Sequence, residues 1–337
     1  MCLYICNKEP LVAKKDIVVY KYVKEQNGRY VTVCQNYPIK TNKVLTPSDS
    51  GGDIVNTNFH KYVISGGAIH ACTSSYDNGF DGKVCLKAYI KKGTEFWVQD
   101  DFKQVAARSL YITDEVVTDK QTTDIIEIYK MLIDDIPTNK DGIKIGDVLL
   151  VDNTYASPLE DFDKSKVIGY VACFNPQDDS PIHVGINSEY FPFLTDYNYN
   201  NPCNSEIIYD KIKYDFDGYK HTYDIANAAD YNADLFKAID YCINYSTEGT
   251  NKGDWHLGAG GEMIMLAQNL AIVNASILLN NIGTPISMLG FWTSSQYYDG
   301  LFVYSWYVTL DDGNSGMRGC RDYKHQVLPL LAFTKQA

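Results

Sequence analysis

The chain has 337 residues, 45% of them hydrophobic, and a formal net charge of -12 at pH 7. That length predicts two or three domains with room for a large core. The acidic balance, with no basic stripe against it, excludes a nucleic-acid backbone as partner and disfavours an anionic membrane surface. Nine cysteines, at 2, 6, 34, 72, 85, 173, 203, 242 and 320, are odd in number and include no Cys-x-x-Cys pair. A disulfide framework or zinc cage is thereby disfavoured, and free buried thiols made in a reducing cytosol are expected. The N-terminus "MCLYICNKEP" has no signal-peptide core, and no apolar run is expected to approach the roughly 18 residues of a membrane span. The expectation is a protein made in the cytoplasm without a signal peptide and without membrane insertion.

Residues 1–115 read as a small β-rich domain. "DIVVYKYV" (16–23) and "RYVTVCQNYPI" (29–39) flank Asn27-Gly28. Asn-Gly between two β-branched runs predicts a hairpin, because both residues tolerate positive φ. "KYVISGGAIHAC" (61–72) and "KVCLKAYIKKGTEFWV" (83–98) add strands, and "DFKQVAARSLYIT" (101–113) reads as a short helix or a final strand. Residues 46–53 and 74–82 are loops by composition. Asp77, Asn78 and Asp81 lack the spacing and distal Glu of a calcium loop.

Residues 116–141 read as a helical connector, with apolar residues at 125, 126, 128, 129, 132 and 133. The second domain spans 142–337. "IKIGDVLLVDNTYAS" and "KVIGYVACFN" predict strands around a polar turn, and residues 176–220 are loop-rich. Helices are expected over 232–246 and 260–283, the latter stopped by Asn280-Asn281 and Gly283. A glycine-rich entry, "GDWHLGAGGE" (253–262), lies between them, and short strands close the chain. The fold class is α+β.

Four elements of 143–333 are more informative together. "IKIGDVLLVDNTYAS...KVIGYVACF", "DWHLGAGGE", "GFWTSSQY" and "VLPLLAF" occur in that order. They resemble the elements of a C-type-lectin-like domain in the formylglycine-generating-enzyme-like branch: two helices plus short twisted antiparallel strands. Within it, the chain is most similar to the variable proteins of diversity-generating retroelements in gut Bacteroides-type bacteria and their phages. Gly258 stands where that pattern has Pro, and Leu328 where it has Arg. Residues 1–115 are similar to a small domain of gut-phage proteins, with an expected role in attachment or assembly.

The resemblance implies a binding surface diversified between constant strands, here about 297–326. Its candidate contact residues are Tyr297, Tyr298, Asp299, Gly300, Tyr304, Ser305, Tyr307, Asp311, Asp312, Asn314, Ser315, Arg318, Arg321, Asp322, Tyr323 and His325. Tyr gives large, stiff contact area at low entropy cost, and the chain holds 27 Tyr against 13 Phe. Arg318 and Arg321 read as polar or stacking partners. The alternative is an ordinary hairpin with half-exposed Tyr. Trp255, Leu257, Phe291, Trp292, Trp306 and Phe333 are the expected scaffold, and Val303, Val308 and Leu310 are expected to be buried with Trp306. Glu262 is expected to cap a helix start, with catalytic acid as the minor alternative, and His256 reads as a turn residue.

No Gly-x-Ser-x-Gly elbow, phosphate loop or His-Glu-x-x-His is present. The leading reading is therefore a non-enzymatic ligand- or receptor-binding protein, in a phage setting at the virion surface. The partner is an external protein, peptide or glycan. A cytosolic oxidoreductase of formylglycine-generating-like fold depending on Cys320 is one alternative; a structural protein using its tail as a homo-oligomer interface is another. No cofactor is expected. Calcium is left open by the carboxylates of "QDDS" (177–180), "YDFDGY" (214–219) and "LDDG" (310–313), without a specific motif.

Overall fold

In the computed structural model Asn27 and Gly28 both take left-handed backbone, with φ of 52° and 69°. They join β2 (Ile17–Gln26) to β3 (Arg29–Thr32) in the expected hairpin. The structure describes residues 10–32, 38–47, 68–75, 83–98, 104–121, 123–132, 136–192, 209–228, 231–234, 236–286, 290–298, 303–308, 316–318 and 324–332. The chain divides into two units, Met1–Asp135 and Ile136–Ala337.

In the first unit, the described strands also include β1 (Leu11–Val12), β4 (Lys43–Leu45), β5 (Ile69–Cys72), β6 (Val84–Ile90), β7 (Glu95–Val98), β8 (Gln104–Ala107) and β9 (Leu110–Val116). They form one antiparallel sheet in the order β1-β7-β8-β5-β2-β6-β9-β4, with β3 paired to β2. Its spine is the unbroken β2–β6 register from Ile17↔Ile90 to Val23↔Val84. Val19, Val23, Leu86, Ala88 and Ile90 are buried along it, the placement that β-branched and aliphatic residues favour. Among its described residues, the stretch 101–113 contributes β8 and β9 and no helix.

The expected connector 116–141 is not a separate segment. Val116 ends β9, and α1 (Ile125–Leu132) belongs to the first unit, while residue 136 opens the second. The reason is burial: Ile128 and Tyr129 are 0% and 1% exposed, so the apolar face of α1 is packed. Lys15 pairs with Glu127 at 3.2 Å on its outer side.

The second unit is mixed α+β, as expected. Its elements are β10 (Val148–Leu150), β11 (Tyr155–Ala156), β12 (Val167–Phe174), β13 (Pro181–Gly185), β14 (Glu189–Pro192), α2 (Gly218–Ala226), α3 (Lys237–Asn244), β15 (Trp255–Leu257), α4 (Gly260–Asn280), β16 (Phe291–Tyr298), β17 (Val303–Val308), β18 (Gly316–Arg318), β19 (Lys324–Val327) and β20 (Pro329–Ala332). One sheet runs β11-β10-β12-β13-β20-β15 and the other β14-β19-β16-β17-β18. Pairing is antiparallel except at Phe291↔Gln326, where β16 meets β19 in parallel. β13, β14 and the first residues of α2 lie in the stretch 176–220 read as loop-rich. Polar residues dominate α2, whose apolar contacts come from tertiary packing of Ile225 among Phe236, Ile239 and Trp292.

The long helix α4 packs on β12 and against β16 and β17. β12 is buried at every residue, and α4 is buried at Met263, Leu266, Leu270, Val273 and Ile277. Asn281 and Gly283, at φ 54° and 83°, end it as expected. One expectation is corrected here: α4, 21 residues with a window of mean hydropathy 1.5, is long and apolar enough to cross a membrane. The same window is 67% buried inside this unit, which accounts for its composition as a core helix.

His183 on β13 is fully buried. Its Nδ1–H donates to the Leu331 carbonyl at 3.1 Å, which leaves Nε2 to accept from the Tyr155 hydroxyl at 3.0 Å. Burial pulls its pKa down to about 4.

Two predictions follow from these placements. Gly146 sits at φ 86°, and a Cβ there would lie 2.7 Å from Ser276 Oγ and 2.9 Å from Ile272 Cγ2; at Gly253, φ 95°, the nearest atom would be 3.7 Å away. Gly146→Ala should cost about 2–4 kcal/mol and Gly253→Ala about 1 kcal/mol in urea unfolding of the second unit; equal costs would refute the steric argument. The His183 imidazole is held neutral in the fold, so its contribution is complete above pH 6.5 and falls away as pH drops towards 4. Wild type should lose up to about 3 kcal/mol more than His183→Gln between pH 7 and 4. Identical pH profiles would remove this group as a cause.

Candidate functional site

Two sequence elements far apart in the chain meet in the second unit: "WHLGAGGE" (255–262) and "WTSS" (292–295). Trp255 and Leu257 of β15 are buried, as expected, with the Trp255 indole edge-on to Tyr245 at 4.8 Å. The chain then turns through Gly258 and Ala259 into α4. Glu262, at the third helical position, turns back and accepts the Ala259 N–H at 2.7 Å, the expected cap. Gly260 is close-packed: a Cβ there would overlap the Ile212 side chain.

On the other side, β16 carries an irregularity between Trp292, opposite Tyr307, and Gln296, opposite Ser305. The extra residues enter the β15–α4 turn. Ser294 N–H donates to the Gly258 carbonyl at 2.9 Å. Ser295 Oγ accepts the Gly260 N–H at 2.8 Å and donates to Asp215 Oδ2 at 2.6 Å. Thr293 Oγ donates to the Trp306 carbonyl at 2.9 Å. Phe291, Trp292, Trp306 and the residues between 293 and 296 are all buried.

Beneath this junction lie two carboxylates and two imidazoles. Asp215 Oδ2 is 3.5 Å from His221 Nδ1, and Glu262 Oε2 is 3.3 Å from His256 Nε2. All four side chains are buried. Burial pushes the Asp215 carboxyl above its ordinary range and the charge of Glu262 adds to that, while His221 and Ser295 pull the other way. His256 is corrected from a turn residue to a strand residue with no exposed surface, because β20 pairs with β15 at His256↔Leu330. The signal for this cluster was present as Asp215-x-Asp217-x-x-x-His221, but its residues separate into loop carboxylates and an isolated His unless helix α2 is known to start at Gly218.

Of the expected contact residues, β16 and β17 pair Tyr297 with Tyr304, Gln296 with Ser305 and Tyr298 with Val303. Arg318 of β18 stands opposite Trp306. Tyr307 is half-buried and stacks on His325 at 4.1 Å, and His325 meets Trp292 edge-on at 4.4 Å. Both rings therefore pack on the scaffold, and His325 is half-buried rather than exposed; burial lowers its pKa. Val308 is buried with Trp306 as expected. Asp299, Gly300, Leu310, Asp311, Asp312, Asn314, Ser315, Cys320, Arg321, Asp322, Tyr323 and Phe333 lie outside the described residues. Leu328, where the resembling pattern has Arg, is buried at 2% exposure.

Comparison with family models, curated proteins and solved structures returns no match.

The cap makes a prediction. Glu262→Ala should cost about 2–4 kcal/mol, since it leaves a buried N–H without a partner. Glu262→Gln, which keeps the acceptor, should cost less than half of that. Chemical unfolding of both variants checks this; equal losses would show that charge, not the acceptor, holds the turn.

Proposed function

We propose that this chain is a ligand-binding protein whose second unit is a C-type-lectin-like domain displaying a variable, Tyr-rich surface, in the setting of a phage receptor-binding or virion-surface component. The reading rests first on the buried base of a strand that runs on into tyrosines. Along β16 every residue from Phe291 to Gln296 is buried, and the strand then continues into Tyr297 and Tyr298 in register with Tyr304 and Val303. A contact surface that varies needs a backbone that stays put when side chains change. Trp292, Trp306, Val308 and Val327 offer that, each large buried side chain contributing about 1.5–3 kcal/mol. The order of strands, helices and returning strands, with β20 inserted between β13 and β15, supports the lectin-like reading. The first unit then serves attachment or assembly.

The enzyme alternative gains little support. Cys173 and Cys242 are buried, and burial raises both thiols well above their ordinary range, so they are protonated at neutral pH. That alternative therefore rests on Cys320.

The test is binding of the fluorescently labelled full chain to intact cells from a panel of gut Bacteroides. A subset of strains should be labelled. Tyr297→Ser/Tyr304→Ser should weaken labelling by at least about tenfold, as expected for aromatic hot spots, at an unchanged unfolding midpoint. Labelling that no substitution between 297 and 323 alters, or no labelling of any strain, would overturn the reading.

A further inference from the structure

Asp215, Asp217 and His221 each place a potential ligand atom within 4.8 Å of the other two. The local fold explains the grouping. The Asp217 backbone N–H donates to Asp215 Oδ1 at 3.2 Å, which closes a tight turn, and α2 begins at the next residue. His221 lies one helical turn on, its backbone N–H bonded to the Asp217 carbonyl at 2.9 Å. The three side chains thus converge at the first turn of α2.

Two further observations point to a ligand. Asp217 occupies the cap position of α2, yet its side chain makes no capping hydrogen bond. A carboxylate there ordinarily accepts from the first turn. The His221 side chain is about 5% exposed, and its Nδ1 is buried with no hydrogen-bond partner, facing Asp215 Oδ2 at 3.5 Å. That separation is longer than a good N–H···O bond. It is close to the distance between two ligands of one tetrahedral cation with bonds of about 2.0–2.1 Å.

Electrostatics agree. Glu262 lies under Gly218, so close that a Cβ there would overlap its Oε2. Two buried carboxylates and an exposed third then share this corner with two imidazoles, and among the described residues no Lys or Arg forms an ion pair with them. Burying charge in this way is costly unless it is compensated.

We propose that Asp215, Asp217 and His221 form a binding site for a divalent transition cation of the Zn2+ or Mn2+ kind. An imidazole nitrogen among the donors favours such a cation over Ca2+, which takes six or more oxygens. Asp217 is exposed, so solvent reaches the site and water completes the coordination. The cation would join the start of α2 to β16 through the Asp215–Ser295 hydrogen bond. It would stiffen the base of the strand that carries Tyr297, and it does not depend on what that strand binds.

The experiment uses the full chain after chelator treatment and dialysis, titrated calorimetrically with ZnCl2, MnCl2 and CaCl2 and followed by thermal unfolding. Zn2+ or Mn2+ should bind at about one equivalent and raise the unfolding midpoint. Asp217→Asn, an exposed change that leaves the core intact, should weaken binding by at least about tenfold, and His221→Gln likewise. Asp224→Asn, elsewhere on the same helix, should leave it unchanged. Co2+ should give visible ligand-field bands without the near-ultraviolet charge-transfer band of a thiolate site, and Asp217→Asn should lose them. No binding above the buffer blank, binding unaffected by Asp217→Asn, a Co2+ thiolate band, or tighter binding of Ca2+ than of Zn2+ and Mn2+ would each overturn the proposal.

Discussion

The second unit depends on one polar junction: the β15–α4 turn held against the irregular stretch of β16. Backbone groups at a helix start and at a strand irregularity have no regular partners, and here both lie in the core. Glu262 takes the Ala259 N–H, Ser295 takes the Gly260 N–H, and Gly258 takes the Ser294 N–H. Each element supplies what the other lacks. Once they are joined, the start of α4, strand β15 and the base of the tyrosine hairpin have fixed relative positions. Gly258, Gly260 and Gly261 are required because neighbouring atoms of Leu330, Ile212 and Asp215 already occupy the space a Cβ would take.

This arrangement carries charge inside. Glu262 and Asp215 are acceptors where acceptors are needed, but a carboxylate in the core carries a desolvation cost that an amide would not. His256 and His221 face them at 3.3 Å and 3.5 Å, distances that give partial compensation. The same corner is therefore both closely hydrogen-bonded and incompletely compensated in charge. Both the capping role of Glu262 and the cation proposal come from that combination. The tyrosine-bearing strands β16 and β17 continue from this corner, so on the proposed reading a variable surface would rest on a buried, hydrogen-bonded base.

Sequence patterns were most reliable where one residue type has one physical use. Asn27-Gly28 marked a hairpin because few residues take two successive positive φ values. The run "VIGYVACF" was legible as a strand from its β-branched and aromatic content, and "GGEMIMLAQNL" as a helix from its length and its stop at Asn281. Glu262 was legible as a cap from its place at the third helical position. The helix α2 was not: "GYKHTYDIA" has weak apolar periodicity, and its packing comes from Ile225 meeting residues of α3 and β16. His256 looked like a turn residue beside glycines, and only the return of β20 made it a strand residue.

The amino-acid sequence alone determined the α+β class, the β-rich first unit, the two later helices and the buried Trp residues, since these follow from local conformational preference and from apolar surface avoiding water. Tertiary structure decided which polar groups meet. Asp215, Glu262 and Ser295 are separated by tens of residues, and no periodicity relates them; their contact exists because β16 runs past the start of α4. It also decided that His325 and Tyr307 stack on each other and meet Trp292 edge-on instead of both facing solvent. Burial of polar groups depends on long-range pairing, and a hydrogen bond between distant residues leaves no local trace in sequence.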